Sequence, residues 1–174
     1  MKSKKLVPGM LAALLGIAMI TGAGALARSA GDNEAVAAIE PVPTMAKALA
    51  LAGEDGRLVF LMVKASTCLV CQKFDQDVVQ SAEFRAFADE KLHLVVYDIF
   101  GQDEVADHLA EERKTELEEI MDKHEIVVTP TVVVLSADGR VLLRTEGYEG
   151  APASRVVNHL ARLAEAEAEA EAGQ

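Results

Sequence analysis

Residues 68–71 read Cys-Leu-Val-Cys, and they hold both cysteines of the 174-residue chain. Structural disulfides in exported proteins usually use cysteines scattered along the chain. Two cysteines with two residues between them, at the start of a helix, instead let both sulfurs meet in a small ring. The first thiol of such a pair lies near the helix N-terminus, where unpaired backbone N–H groups favour the thiolate. The thiolate is the nucleophile of disulfide exchange. The spacing therefore predicts Cys68 as the attacking group and Cys71 as the thiol that resolves the mixed disulfide. Lys64 precedes Cys68 by four positions and would either favour its thiolate or end a strand in water. Asp75 follows Cys71 by one helical turn and would either accept its proton or lie on a solvated face. Two alternatives stay open for the pair. An inert, buried pair of small apolar side chains is one. A metal site is the other, but zinc needs four ligands, and His93, His108, His124 and His159 form no closely spaced pair.

The surrounding pattern sets out the elements that must hold this pair. Thr44 caps a short helix, Met45 to Ala52, with Gly53 as its stop. Residues 58–63, Leu-Val-Phe-Leu-Met-Val, form a continuous apolar run that suits a strand buried on both faces. A helix from Cys68 to Gln80 follows, then a second helix begun by Ser81 and ending at Glu90. Residues 92–97 read as a second strand. Residues 103–124 read as one long helix, with Val105, Leu109, Leu117, Ile120, Met121 and His124 near one face. After Thr129-Pro130, residues 131–135 and 140–145 flank an Ala-Asp-Gly turn and read as a β-hairpin. Pro152 opens a last helix through Leu163. The Ala-Glu repeat at 164–172 either prolongs that helix or frays, and its acids would lie all round a helix, so residues 164–174 read as a solvated tail. The order is α/β, with a mixed sheet between helices.

Together, the Cys pair after a buried strand, the helix behind it and the Val-Thr-Pro-Thr strand start resemble the thioredoxin family. The resemblance covers residues 59–163 and is strongest to exported members, such as the C-terminal domain of the reductase DsbD and the thioredoxin SoxW. It implies a thioredoxin-like fold, a central mixed sheet flanked by helices. It also implies a cis Pro130 beside the cysteines, and a Thr129 backbone that pairs with an extended substrate segment. Gly147 matches a glycine that family members keep near the same groove. The chain departs from the cytosolic pattern. Thr67 stands before the first cysteine where Trp is usual, and Leu-Val replaces Gly-Pro between the two. Met62 occupies the position of a buried acid that serves the second cysteine. The helix at 103–124 reads as a long insertion before the cis-Pro strand.

Composition and charge bound the setting. Hydrophobic residues make up 51% and charged residues 26%, which excludes a disordered or collagen-like chain. The net charge of −11 argues against nucleic-acid partners. Lys2, Lys4 and Lys5 precede an apolar stretch from Leu6 to Ala27 that ends in small residues, the pattern of a secretory signal peptide. An uncleaved membrane anchor is the alternative. The organisation expected is a signal peptide or anchor at 1–27, a linker at 28–43, a thioredoxin-like domain at 44–163 and the tail at 164–174.

The function expected is an exported, periplasmic thiol–disulfide oxidoreductase without a cofactor beyond its own Cys68–Cys71 pair. The apolar Leu-Val dipeptide supplies no cation between the cysteines, which favours a reductant. Its partners would be exported proteins with disulfides or oxidised cysteines, and a membrane thiol electron donor. A redox-inert binding module on the same fold and a metal carrier using the Cys pair are the alternatives.

Overall fold

The computed structural model describes residues 39–100 and 107–173. The apolar stretch at 6–27 and the first residues of the predicted 103–124 helix lie outside them. Among the described residues, ten elements appear in order: α1 (Met45–Asp55), β1 (Leu58–Lys64), α2 (Leu69–Phe74) with a π-helical continuation (Asp75–Val79), α3 (Ala82–Lys91), β2 (Leu92–Asp98), α4 (Asp107–Lys123), β3 (Thr131–Leu135), β4 (Val141–Glu146) and α5 (Ala153–Ala172).

The four strands form one sheet in the order β2-β1-β3-β4. β1 pairs parallel with β2 and antiparallel with β3, and β3 pairs antiparallel with β4. The parallel pair needs a crossover, supplied by α2 and α3. α4 carries the chain from β2, at one edge, to β3 on the far side of β1. The period of two divides the strand residues between two cores. Val59, Leu61, Val63, Val95, Tyr97, Val133 and Leu135 meet α1 and α4 on one face. Leu58, Phe60, Met62, Leu94, Val132 and Val134 meet α2, α3 and α5 on the other. β1 is buried along almost its whole length, as a central strand covered on both faces requires.

One predicted end moves. α1 passes through Gly53 and stops at Gly56, whose φ of 72° allows its N–H to bond back to the Ala52 carbonyl at 2.8 Å. Gly56 supplies the left-handed cap and Gly53 is an interior helix residue. Of the two outcomes open for the Ala-Glu repeat, the helix is prolonged: α5 runs past Leu163. It continues through the Ala-Glu repeat to Ala172. Leu163 and Ala164 pack on the core, and Glu167 pairs with Arg140 at 2.7 Å, so the tail's first turns belong to the domain.

α4 is fastened by side chains as well as by its apolar face. Glu116 accepts from the backbone N–H groups of Met45 and Ala46 at 3.0 and 2.7 Å, and from the Tyr97 hydroxyl. A carboxylate there satisfies orphan donors at the start of α1. Arg113 stacks over the Tyr97 ring and donates to the Pro43 and Val96 carbonyls.

Candidate active site

β1 and β3 set the position of the site. Their antiparallel register places Thr131, the first residue of β3, opposite Val63 near the end of β1. The chain leaving β1 runs into Cys68, while the chain entering β3 comes from Thr129-Pro130. Two segments 61 residues apart therefore meet at one end of the sheet.

Cys68 and Cys71 form a disulfide, with their Cα atoms 5.2 Å apart. Cys68 is the N-cap of α2, with an extended backbone (φ −81°, ψ 110°), and its Sγ accepts from the Cys71 N–H at 3.1 Å. That donor is one of the orphan N–H groups of the helix start, and it would stabilise a negative sulfur in the dithiol form. The two sulfurs differ in access. Cys71 is 2% exposed, whereas Cys68 is half-buried. Leu69 and Val70, between them, are 77% and 44% exposed.

The Thr129–Pro130 peptide is cis, and the Thr129 carbonyl oxygen lies 3.6 Å from Cys68 Sγ. Pro130 is buried and Thr129 half-buried. Gly147 (φ 70°) follows β4 and donates its N–H to the Pro130 carbonyl at 2.8 Å. The five residues Cys68, Cys71, Thr129, Pro130 and Gly147 thus converge. Val127 and Val128, just before Thr129, are 86% and 44% exposed. Exposed apolar side chains thus follow Cys68 in one segment and precede Thr129 in the other.

Lys64 ends β1 half-buried, opposite Asp98 of β2. The Asp75 carboxylate accepts from Gln80 at 3.1 Å, within the π-helical stretch. Met62 is fully buried in the core under α2. Asp77 pairs with Lys73 at 2.6 Å and lies 3.1 Å from the Tyr148 hydroxyl; the Lys73 hydrogen bond holds the Asp77 carboxyl below its usual range. Tyr148 also stacks edge-on against Phe74, which joins the loop after Gly147 to the helix behind Cys71. His93 faces Asp55 at 3.1 Å. Among the described residues, no three His, Cys, Asp or Glu side chains come together as a metal site.

A family model described as a thioredoxin-like domain matches residues 45–163. The chain is 31% identical over 105 residues to the disulfide bond reductase DsbH of Chlamydia pneumoniae, and the match spans 60% of each sequence. A solved structure of a DsbH oxidoreductase superposes with a TM-score of 0.60 at 28% identity, covering 70% of this chain and 82% of that one. A thioredoxin from Thermus thermophilus gives a TM-score of 0.51 at 17% identity, over 69% of this chain and 83% of that one, a likeness of fold.

Proposed function

The chain belongs to the thioredoxin-like family, and from that premise we propose that it is an exported thiol–disulfide oxidoreductase that reduces protein disulfides. The observation that carries this reading is the asymmetry of the Cys pair. Cys68 caps a helix, accepts an N–H bond and is reachable, while Cys71 is buried behind it. In the dithiol form the Cys68 thiolate attacks one sulfur of a substrate disulfide. A Cys68–substrate disulfide forms and the other substrate sulfur leaves as a thiolate. Cys71, deprotonated, then attacks Cys68 Sγ. The Cys68–Cys71 disulfide closes and the second substrate sulfur leaves. The substrate gains two electrons and the enzyme dithiol loses them. Thr129 supplies backbone for pairing with an extended substrate segment, and Pro130 and Gly147 shape the groove.

The reductive direction draws support from the name of the matched relative, a disulfide bond reductase, and from the apolar Leu69-Val70 dipeptide. Export draws support from the basic and apolar start of the sequence. A thiol donor at the membrane would then return the disulfide to the dithiol.

Insulin reduction by the full chain tests the reading. Cys68→Ser abolishes turnover, and Cys71→Ser accumulates a mixed disulfide with substrate. Equal residual turnover in both variants contradicts the assigned roles. The reduction potential tests direction. A value near that of thioredoxin, roughly −270 mV, fits a reductant, and one near that of DsbA, about −120 mV, marks an oxidant.

A further inference from the structure

Arg144 lies on β4, paired in register with Val133 of β3. Its guanidinium reaches the end of α4. Nε donates to the His124 carbonyl at 3.0 Å and Nη2 to the Glu125 carbonyl at 3.0 Å. Nη2 also meets Glu146 Oε1 at 2.6 Å, which orients the guanidinium from its own strand. Both carbonyls belong to a helix end, where backbone acceptors lack partners within the helix. The turn they form is unfavourable on its own. Glu125 has φ 51°, a left-handed conformation that opposes any residue with a Cβ. The Ile126 N–H then bonds back to the Met121 carbonyl at 2.9 Å, closing the helix end.

From this turn the chain runs through residues 126–128 to Thr129. At its other end, Gly147 holds the Pro130 carbonyl. The segment 124–130 is therefore fastened to β4 at both ends, by a side chain at 144 and by backbone at 147. Between the two, Val127 and Val128 project into solvent. We propose that Arg144 is a positioning residue for disulfide exchange: by clamping the His124 and Glu125 carbonyls it fixes the segment that presents the Thr129 backbone beside Cys68. The role rests on the oxidoreductase reading above. Arginine suits it because its planar fork bridges two carbonyls, whereas lysine offers a single point charge.

The test uses the full chain with two substrates. Insulin presents a disulfide on an extended segment. The small aromatic disulfide 5,5′-dithiobis(2-nitrobenzoate) needs no backbone partner. Arg144→Met keeps the stem and removes both donors, and is expected to lower kcat/KM on insulin about tenfold, through KM, the scale of one charge-assisted hydrogen bond. Arg144→Lys is expected to fall between that variant and the wild type. The rate with the small disulfide and the reduction potential are expected to match the wild type, since the thiolate is untouched. Amide hydrogen exchange over residues 126–131 is expected to quicken in Arg144→Met. An equal loss on both substrates overturns the proposal, because Arg144 would then act on the Cys pair or on folding. An unchanged KM for insulin, or unchanged amide protection, also overturns it. A wild-type chain that reduces neither substrate overturns the oxidoreductase reading and the catalytic role together, while faster exchange in Arg144→Met would still support the clamp itself.

Discussion

The backbone N–H of Gly147 donates to the Pro130 carbonyl at 2.8 Å, tying the residue after β4 to the residue before β3. Gly147 has φ 70°, and a Cβ placed there would have no atom within 4 Å. Gly147→Ala therefore tests backbone conformation without a collision. A residue with a Cβ in that region costs about 1–2 kcal/mol. The variant should lose about that much stability, seen as a lower melting temperature. An unchanged melting temperature would contradict the account of this turn.

Glu116 and Tyr97 make a second testable pair. Glu116 holds two N–H groups of α1 and the Tyr97 hydroxyl, whereas among the described residues the hydroxyl otherwise meets only the Met45 N–H, at 3.1 Å. Glu116→Ala should cost about 2–3 kcal/mol, as removal of a charged hydrogen-bonding partner does. Tyr97→Phe should cost about 1 kcal/mol, since Glu116 still satisfies both amides. Urea unfolding midpoints would separate the two, and equal losses would show that Glu116 does not act as the shared acceptor.

The order of helices and strands was legible because each apolar run had a clear period and its boundaries carried caps. Thr44 and Ser81 announced helix starts, and both accept the expected N–H bonds, from Lys47 and Phe84. The end of α1 was misread because Gly53 and Gly56 look alike in sequence, and only the backbone tells an interior glycine from a left-handed cap. Whether α5 runs past Leu163 stayed open in the sequence because the Glu167–Arg140 pair, which ties the repeat to the domain, joins residues 27 apart. At the site, residue types and spacing pointed to Cys68 and Cys71, and the resemblance to the thioredoxin family pointed to Thr129, Pro130 and Gly147. Neither pointed to Arg144, Glu116 or Arg113. These side chains act on backbone groups distant in sequence, and such contacts leave no periodic trace.

His124 gives the fold a pH dependence. It is buried, and burial first, then the charges of Lys123 and Arg144, hold its imidazole below the usual histidine range. The unfolded chain then binds a proton near pH 6.5 that the folded chain accepts only at lower pH. The stability contributed is fully present above about pH 6.5 and is lost as pH falls through the folded value. Unfolding free energies of the wild type and His124→Gln, measured from about pH 7.5 to 5.5, should converge toward the acid end. A constant difference between them would contradict the assignment.

In the proposed exchange Cys68 is the attacking thiol and Cys71 the buried partner. Alkylation of the reduced full chain by substoichiometric iodoacetamide at mildly acidic pH, mapped by peptide mass, tests it directly. The account predicts modification of Cys68 almost alone, because that sulfur is the more accessible and accepts the Cys71 N–H at the helix start. Equal modification of both cysteines, or preference for Cys71, would contradict it.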